Sequence, residues 1–421
     1  MKILILGQGG REHALVKAFK NSPLVTEIHV LPGNDGMKKE AICHPFAMTD
    51  FENILQICLR TEMDFVFIGP EDPLVMGLAD QLRERGILVV GPSQQAAMLE
   101  GSKIFSKEFM MEAKVPTAPY YVVTSTNEAL QASAHFSPPY VLKADGLAAG
   151  KGVFICKSLQ ELKIASDNLF EQKILGKAGN AALLEKFEPG WELSYLVLTN
   201  GSDFVSLPLA QDHKRLNDNN EGPNTGGMGT IAPLQITQEL KLKIEETIIK
   251  PSIELIHKKQ FIYRGILFVG VMVTQDGPKV LEYNVRLGDP ETQVILPLID
   301  SDIAMVMKDL AEGKISSLKF KNLFSACVIM ASPGYPDNTE KNVPMEGLEN
   351  IYESSNSYLI HAGTKHEQGT WKTNGGRVLG ALGIGSTSDE AIKNAYELTN
   401  KISWRGMQWR KDIGKYFTSS T

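Results

Sequence analysis

A short apolar run, Ile3 to Leu6, ends at Gly7 and passes through Gly7-Gln8-Gly9-Gly10 into a helical segment running from Glu12 to Asn21. A strand that turns on glycines straight into a helix has one common way to continue, which is back across the sheet to a parallel neighbour. Glu27 to Leu31 supplies that neighbour, and Asp64 to Ile68 and Ile87 to Val90 repeat the pattern, so the first hundred residues read as an α/β unit with a parallel, doubly wound sheet. The unit closes near Gly91-Pro92-Ser93. The glycine turn also places free N–H groups at a helix N-terminus, where an anion is favoured. Two details count against a dinucleotide there: Glu12 replaces the third small residue, and the second strand ends Val30-Leu31-Pro32 without an acid for a ribose diol.

At 421 residues the chain has room for two to four packing units. The formal net charge of -6 argues against a nucleic-acid backbone as partner, which requires a concentrated basic surface. Cys43, Cys58, Cys156 and Cys327 lie far apart with no Cys-x-x-Cys spacing, so neither a zinc knot nor a disulfide framework is expected. No window approaches the roughly 18 apolar residues of a membrane span, and the N-terminus lacks the basic leader of a signal peptide. A cytoplasmic location follows as the expectation.

Beyond Ser102 a mixed region extends to about Leu310, with strands expected at Tyr140 to Lys143, Ala182 to Phe187, Leu193 to Thr199 and Ile266 to Val273. Ile244, Ile248, Ile249, Ile253 and Ile256 recur at helical spacing and predict a helix from Thr237 to Lys259. A third unit holds strands near Cys327 and Val378, a helix around Asp389 to Ile402, and a polar tail, Thr418 to Thr421. The domain boundaries are expected at 1–100, 101–315 (α+β, with a smaller subdomain at about 121–190) and 320–421, the last again α/β.

Four segments carry chemistry. The run Leu142-Lys143-Ala144-Asp145-Gly146-Leu147-Ala148-Ala149-Gly150-Lys151-Gly152 lets backbone close over phosphates, with Lys143 and Lys151 for charge, although a plain glycine hairpin would read the same way. It is not a Walker loop, because Gly152 follows Lys151 where Ser or Thr would stand. Glu185-Lys186-Phe187 and then Glu192 fit a linker to an adenine edge with an acid for ribose hydroxyls. In Lys279-Val-Leu-Glu-Tyr-Asn-Val-Arg286, strand geometry would put Glu282, Asn284 and Arg286 on one face and Leu281, Tyr283 and Val285 on the other. A carboxylate and an amide oxygen suit Mg2+, and an adjacent arginine can clamp phosphate. Finally, Asp212-His213-Lys214-Arg215 with Asn224-Thr225-Gly226-Gly227-Met228-Gly229 joins an acid for an amine to cations and amides for an acidic group, though most such runs are solvated loops. His213 by itself reads as a structural residue.

In order along the chain, Gly-x-Gly-Gly-Arg-Glu-His-Ala (7 to 14), Gly-Pro-Glu-Asp-Pro-Leu (69 to 74), Leu-Glu-Gly-Ser-Lys (99 to 103), the Lys143 to Gly152 loop, Gln-Asp-His-Lys-Arg (211 to 215), Gly-Pro-Asn-Thr-Gly-Gly-Met-Gly (222 to 229) and Arg-Leu-Gly-Asp-Pro-Glu-Thr-Gln (286 to 293) closely resemble the phosphoribosylamine-glycine ligases, or glycinamide ribonucleotide synthetases, of the ATP-grasp superfamily. The resemblance runs on through His361-Ala-Gly-Thr364, Asn374 to Val378 and Arg410 to Gly414. It implies a Rossmann-like domain, an ATP-grasp region whose small lid closes over ATP, and a C-terminal domain completing the pocket. By the same resemblance Lys103 and Lys143 meet the nucleotide phosphates, with Asp145, Gly146, Gly150, Lys151 and Gly152 around them. Glu185, Lys186 and Phe187 form the adenine linker, Glu192 holds ribose, and Glu282 with Asn284 binds Mg2+ or Mn2+. The implied substrates are glycine and 5-phosphoribosylamine, joined in purine synthesis through a glycyl phosphate by a monomer or weak homodimer. Asp212, Arg286 and Lys143 are the catalytic candidates. Gly9, Gly10, Arg11, Glu71, Asp212, His213, Lys214, Asn224, Gly226, Gly227, Arg286 and Arg377 are the substrate-facing ones, with Arg11 or Arg377 and the Gly9 and Gly10 amides for the sugar phosphate. Another ATP-grasp carboxylate-amine ligase, or a carboxylase acting on a ribonucleotide, is the alternative.

Overall fold

The computed structural model describes residues 1–148 and 150–415; Ala149 and the tail from Thr418 to Thr421 lie outside the described residues. Its first sheet has five parallel strands in the order Ile42–Cys43, Glu27–Pro32, Lys2–Gly7, Phe65–Ile68 and Val89–Val90. Lys2–Gly7 lies at its centre, and the alternation of side chains sorts Leu4 and Leu6 into one hydrophobic cluster and Ile3 and Ile5 into another. Burial on both faces explains why the run is uniformly apolar. The edge strand Ile42–Cys43 has only two residues, too few to leave a periodic signature.

The middle of the chain builds two antiparallel sheets. A small one runs Tyr120–Val123, Ala182–Lys186, Tyr140–Ala144, Val153–Cys156 and has its own core around Val123, Leu142, Leu162 and Leu184. The larger runs Phe204–Ser206, Trp191–Thr199, Gly265–Thr274, Gly277–Asn284. Here the register corrects the expected alternation: Gly270 pairs with Glu282 but Val271 pairs with Val280, so Leu281 is an extra residue. This bulge puts Val280 into the core together with Tyr283 and Val285, whereas Leu281 remains outside it. The predicted long helix is continuous from Gln238 to Lys258, capped by the Thr237 hydroxyl, with a wider turn at Glu245–Ile249.

A third sheet runs Gln211–Asp212, Gly229–Ala232, Phe324–Ala331, Arg377–Gly385, Ser357–His361. Its first two strands come from the middle of the chain, so the segment bearing Asp212 and Gly227 hangs from the edge of the C-terminal sheet. Helix Ser388–Thr399 packs directly on Arg377–Gly385, where a Cβ at Gly383 would stand 2.2 Å from the Ala391 carbonyl oxygen.

Candidate active site

The glycine turn after the first strand is filled from within. The Glu12 carboxylate accepts the Gly9 amide at 2.7 Å and the Arg11 guanidinium at 2.6 Å, and a Cβ at Gly69 would lie 2.2 Å from Glu12 Oε1. Pyrophosphate has no space or free donor at Gly9. Arg11 is buried and its Nη1 donates to the Leu287 carbonyl, so where a sugar phosphate is expected, the Gly9 amide and two of the Arg11 nitrogens are already held by protein.

The nucleotide-side residues converge on the inner strand of the small sheet. Lys143 Nζ lies 2.8 Å from Glu185 Oε2 and donates to the Leu281 carbonyl at 3.1 Å, the carbonyl exposed by the bulge. Lys107, which sequence reasoning missed, sits 3.3 Å from the other Glu185 oxygen and also donates to Thr117 Oγ1 and the Ala118 carbonyl. Burial, only partly offset by Glu185, pulls the Lys107 ammonium down to about 8. Its signal was its position one helical turn after Lys103. Lys186 is exposed, and its amide donates to the Pro119 carbonyl inside the sheet, which leaves the linker's free backbone to Phe187 and Glu188. Glu188 is buried against Lys279 at 2.8 Å, with its other oxygen unbonded. Glu192 stands half-exposed, 3.8 Å from Lys214.

The 146–152 turn is a hairpin between Tyr140–Ala144 and Val153–Cys156, with Gly150 at φ +78° and open space around it, a conformation that favours glycine. Lys151 is exposed, and Gly152 closes the hairpin by accepting the Ala144 amide. A Cβ at Gly146 would touch Ala178 at 2.9 Å. Asp145, expected at the nucleotide, instead accepts the Ser102 hydroxyl and the Ile104 amide at 2.8 Å each, tying the hairpin to the start of the Lys103–Glu112 helix.

Glu282 is the electrostatic centre. Burial alone would raise its carboxyl, but Lys214, Lys103, Lys143 and Arg286 together hold it below the usual carboxylate value. It makes no hydrogen bond to protein among the described residues, and Asn284 Oδ1 accepts only Arg286 Nη2 at 2.9 Å. One carboxylate and one amide oxygen on a common face are hard donors that fit a divalent cation sharing its shell with phosphate and water. Among the described residues no group of three or more His, Cys, Asp or Glu is placed to hold a metal ion by itself.

Arg286 reaches back to the first domain, at 2.7 Å from Glu100 and 3.2 Å from Glu71. Glu100, also missed although it lies in the Leu99 to Lys103 motif, accepts the Val285 amide, and burial pushes its carboxyl up to about 7. On the opposite wall Arg377 pairs with Asp289 at 3.3 Å and donates to the Gly226 and Asp289 carbonyls, while Tyr335 accepts the Gly226 amide at 3.0 Å. His213 is buried with both ring nitrogens committed: Nδ1 donates to the Gly229 carbonyl and Nε2 accepts the Gly414 amide. Burial and then Arg410 pull it down to about 4, so its expected contact with substrate is corrected to a structural role. Asn224 is exposed on the hairpin Arg215–Asn217/Glu221–Asn224. Asp212 remains, pushed well above the usual value by burial and then by Glu291.

A glycine hairpin whose base lysine, Lys143, bears on the buried Glu282 beside Asn284, carried on two antiparallel sheets next to a Rossmann-like domain, is the arrangement of an ATP-grasp ligase. The comparisons agree with it: the models for the N domain, the ATP-grasp (A) domain and the C domain of phosphoribosylglycinamide synthetase match residues 1–100, 101–292 and 325–416. A phosphoribosylamine--glycine ligase of Caldanaerobacter subterraneus subsp. tengcongensis is 39% identical over 98% of this chain and 99% of its own. The crystal structure of the Thermotoga maritima phosphoribosylamine--glycine ligase superposes with a TM-score of 0.86 at 36% identity, covering 98% of this chain and 100% of that one. A biotin carboxylase domain of Hydrogenobacter thermophilus, at 18% identity, TM-score 0.76 and coverage of 97% and 91%, shares the fold alone. The chain belongs to the phosphoribosylamine–glycine ligase family, ATP-grasp ligases of purine biosynthesis that use ATP and a divalent metal.

Proposed function

We propose that this chain joins glycine to 5-phosphoribosylamine through glycyl phosphate, yielding glycinamide ribonucleotide, ADP and phosphate. The observation that carries the reading is Glu282, unbonded to protein amid the charges of Lys103, Lys143, Lys214 and Arg286, with Asn284 two residues on along its strand. A carboxylate is a poor acyl donor. Its oxygen first bonds the γ-phosphorus as ADP leaves, and the amine nitrogen then bonds the acyl carbon as phosphate leaves and a proton is lost. Phosphoryl transfer asks chiefly for positioning and charge neutralisation. Glu282 and Asn284 would hold Mg2+, which supplies positive charge to the phosphate oxygens. Lys143, Lys103 and Lys151 bring further charge, and Phe187 and Glu188 offer free linker backbone to adenine. The 146–152 hairpin shields the acyl phosphate from water. Asp212 orients an amine, Arg286 keeps the Glu282 face aligned, and Arg377 stands where the C-terminal domain meets the sugar phosphate.

No helix among the described residues is long and apolar enough to cross a membrane, and the four cysteines are free. A monomer or weak homodimer is the proposed working unit. The test is ADP release from Mg-ATP with glycine and freshly generated phosphoribosylamine, alone and together. Release that requires both substrates supports the ligase, and release with bicarbonate instead would move the reading to a carboxylase.

A further inference from the structure

Glu291 is buried in the same cleft as Asp212 and holds none of the groups assigned above. It opens the helix Glu291–Ile295, its Oε1 accepts the Ser194 hydroxyl at 2.8 Å, and its Oε2 makes no hydrogen bond to protein among the described residues. Its charge bears on Asp212, Lys214, Arg286 and Arg377. The backbone brings the two acids together from two sides. Ser194 bridges to Ala210, two residues before Asp212, so the hydroxyl that holds Glu291 stands beside the Asp212 strand. A carbon added at Gly227 would lie 2.5 Å from Pro290 Cδ and 2.6 Å from Asp212 Oδ1, which sets Asp212 against the residue preceding Glu291.

Two carboxylates buried side by side repel one another unless a cation lies between them. The upward displacement of Asp212, caused by burial and by Glu291, agrees with a pair whose cation comes from a ligand. Lys214 and Arg377 bear on Asp212 through their charge, but among the described residues no cation forms an ion pair with either acid: the Lys214 ammonium lies 3.8 Å from Glu192, Arg377 pairs with Asp289, and Arg286 pairs with Glu71 and Glu100. Of the species in the proposed reaction, glycine brings an ammonium group, and a primary ammonium has three donors for acceptors grouped on one side. We infer that Asp212 and Glu291 together form the seat of the glycine ammonium, an inference that rests on the ligase reading and names its amino-acid subsite. Ser194 is then a positioning residue, fixing the Glu291 carboxylate from behind.

The experiment compares Michaelis constants for glycine, ATP and phosphoribosylamine in wild type, Glu291→Gln and Ser194→Ala, with glycolate as a competitive inhibitor lacking the ammonium. Loss of a charge-assisted hydrogen bond should raise the glycine KM about 30-fold in Glu291→Gln, with the other two constants and the glycolate inhibition constant within about twofold of wild type. Ser194→Ala should raise the glycine KM by about fivefold with kcat little changed, and it decides the matter if Glu291→Gln fails to fold. An unchanged glycine KM in the folded variants, or a parallel rise in all three constants, overturns the ammonium seat while an active wild type leaves the ligase reading standing. Wild type that releases ADP without regard to glycine overturns both.

Discussion

The Glu12 carboxylate accepts the Gly9 amide at 2.7 Å, so the turn that most resembles a dinucleotide cradle carries its own anion. The same carboxylate pairs with Arg11, and Arg11 reaches the Leu287 carbonyl beside the Arg286 cluster. An internal ion pair thus fixes the first domain against the segment that follows the Gly277–Asn284 strand. Removing one partner of a buried pair leaves the other uncompensated, which costs about 3 kcal/mol. Glu12→Ala is expected to lower the denaturation midpoint accordingly, and the variant should show no gain in nicotinamide nucleotide binding by fluorescence titration.

Lys143 contacts Glu185 and the bulge carbonyl of Leu281 and contributes to the charge around Glu282. A positioned cation that acts on developing phosphate charge contributes about 10²–10³ in kcat. Lys143→Met should lose that much while remaining folded; a variant within tenfold of wild type would remove Lys143 from the chemistry.

Lys107 pairs with Glu185, which the proposed function sets beside the adenine, and Thr117 and Ala118 hold it in place. Lys107→Met should release one side of the Glu185 carboxylate and raise the ATP KM about tenfold with a smaller change in kcat. Equal effects on the glycine KM would contradict this assignment.

Acid should loosen the joints between domains. His361 is drawn down to about 3 by burial and then by His13, while the His361 amide donates to His13 Nδ1 at 2.7 Å. The unfolded chain takes up the His361 proton near its ordinary value of 6.5 and the folded chain does not. Stability from this residue is therefore complete above 6.5 and lost as pH falls from 6.5 toward 3. Glu100, raised to about 7, works in the opposite sense over its own range, so the difference between wild type and His361→Phe is the informative quantity. The wild-type urea midpoint should fall more steeply than the variant's between pH 7 and 5; parallel slopes would refute the assignment.

Much of this architecture was legible because glycine turns and apolar periodicity are local signals. The Lys2–Gly7 strand, the long helix after Thr237 and the Gly146–Gly152 hairpin follow from them. The Leu281 bulge was not legible, since Val280 and Tyr283 share a face only through the register with Gly270 and Val271. Nor did the sequence reveal that Asp212 sits on the edge of the C-terminal sheet, because that pairing joins residues separated by a hundred positions. At the site, charged residues announced themselves as candidates but not their partners. Asp145 reads as a phosphate-loop acid and proves to cap a helix, His213 reads as polar and is enclosed by backbone, and Glu100 and Glu291 lay inside recognisable motifs without a role.

The central claim is that the glycine carboxylate is activated by phosphorylation in the cleft around Glu282, Lys143 and Asp212. It is tested most directly with glycine labelled with 18O in both carboxylate oxygens, followed by mass analysis of the phosphate released with phosphoribosylamine. An acyl phosphate passes one carboxylate oxygen to phosphate, so one labelled oxygen should appear in each phosphate and one should remain in the amide. Unlabelled phosphate formed together with the amide product would contradict the glycyl phosphate route and the part that this cleft plays in it.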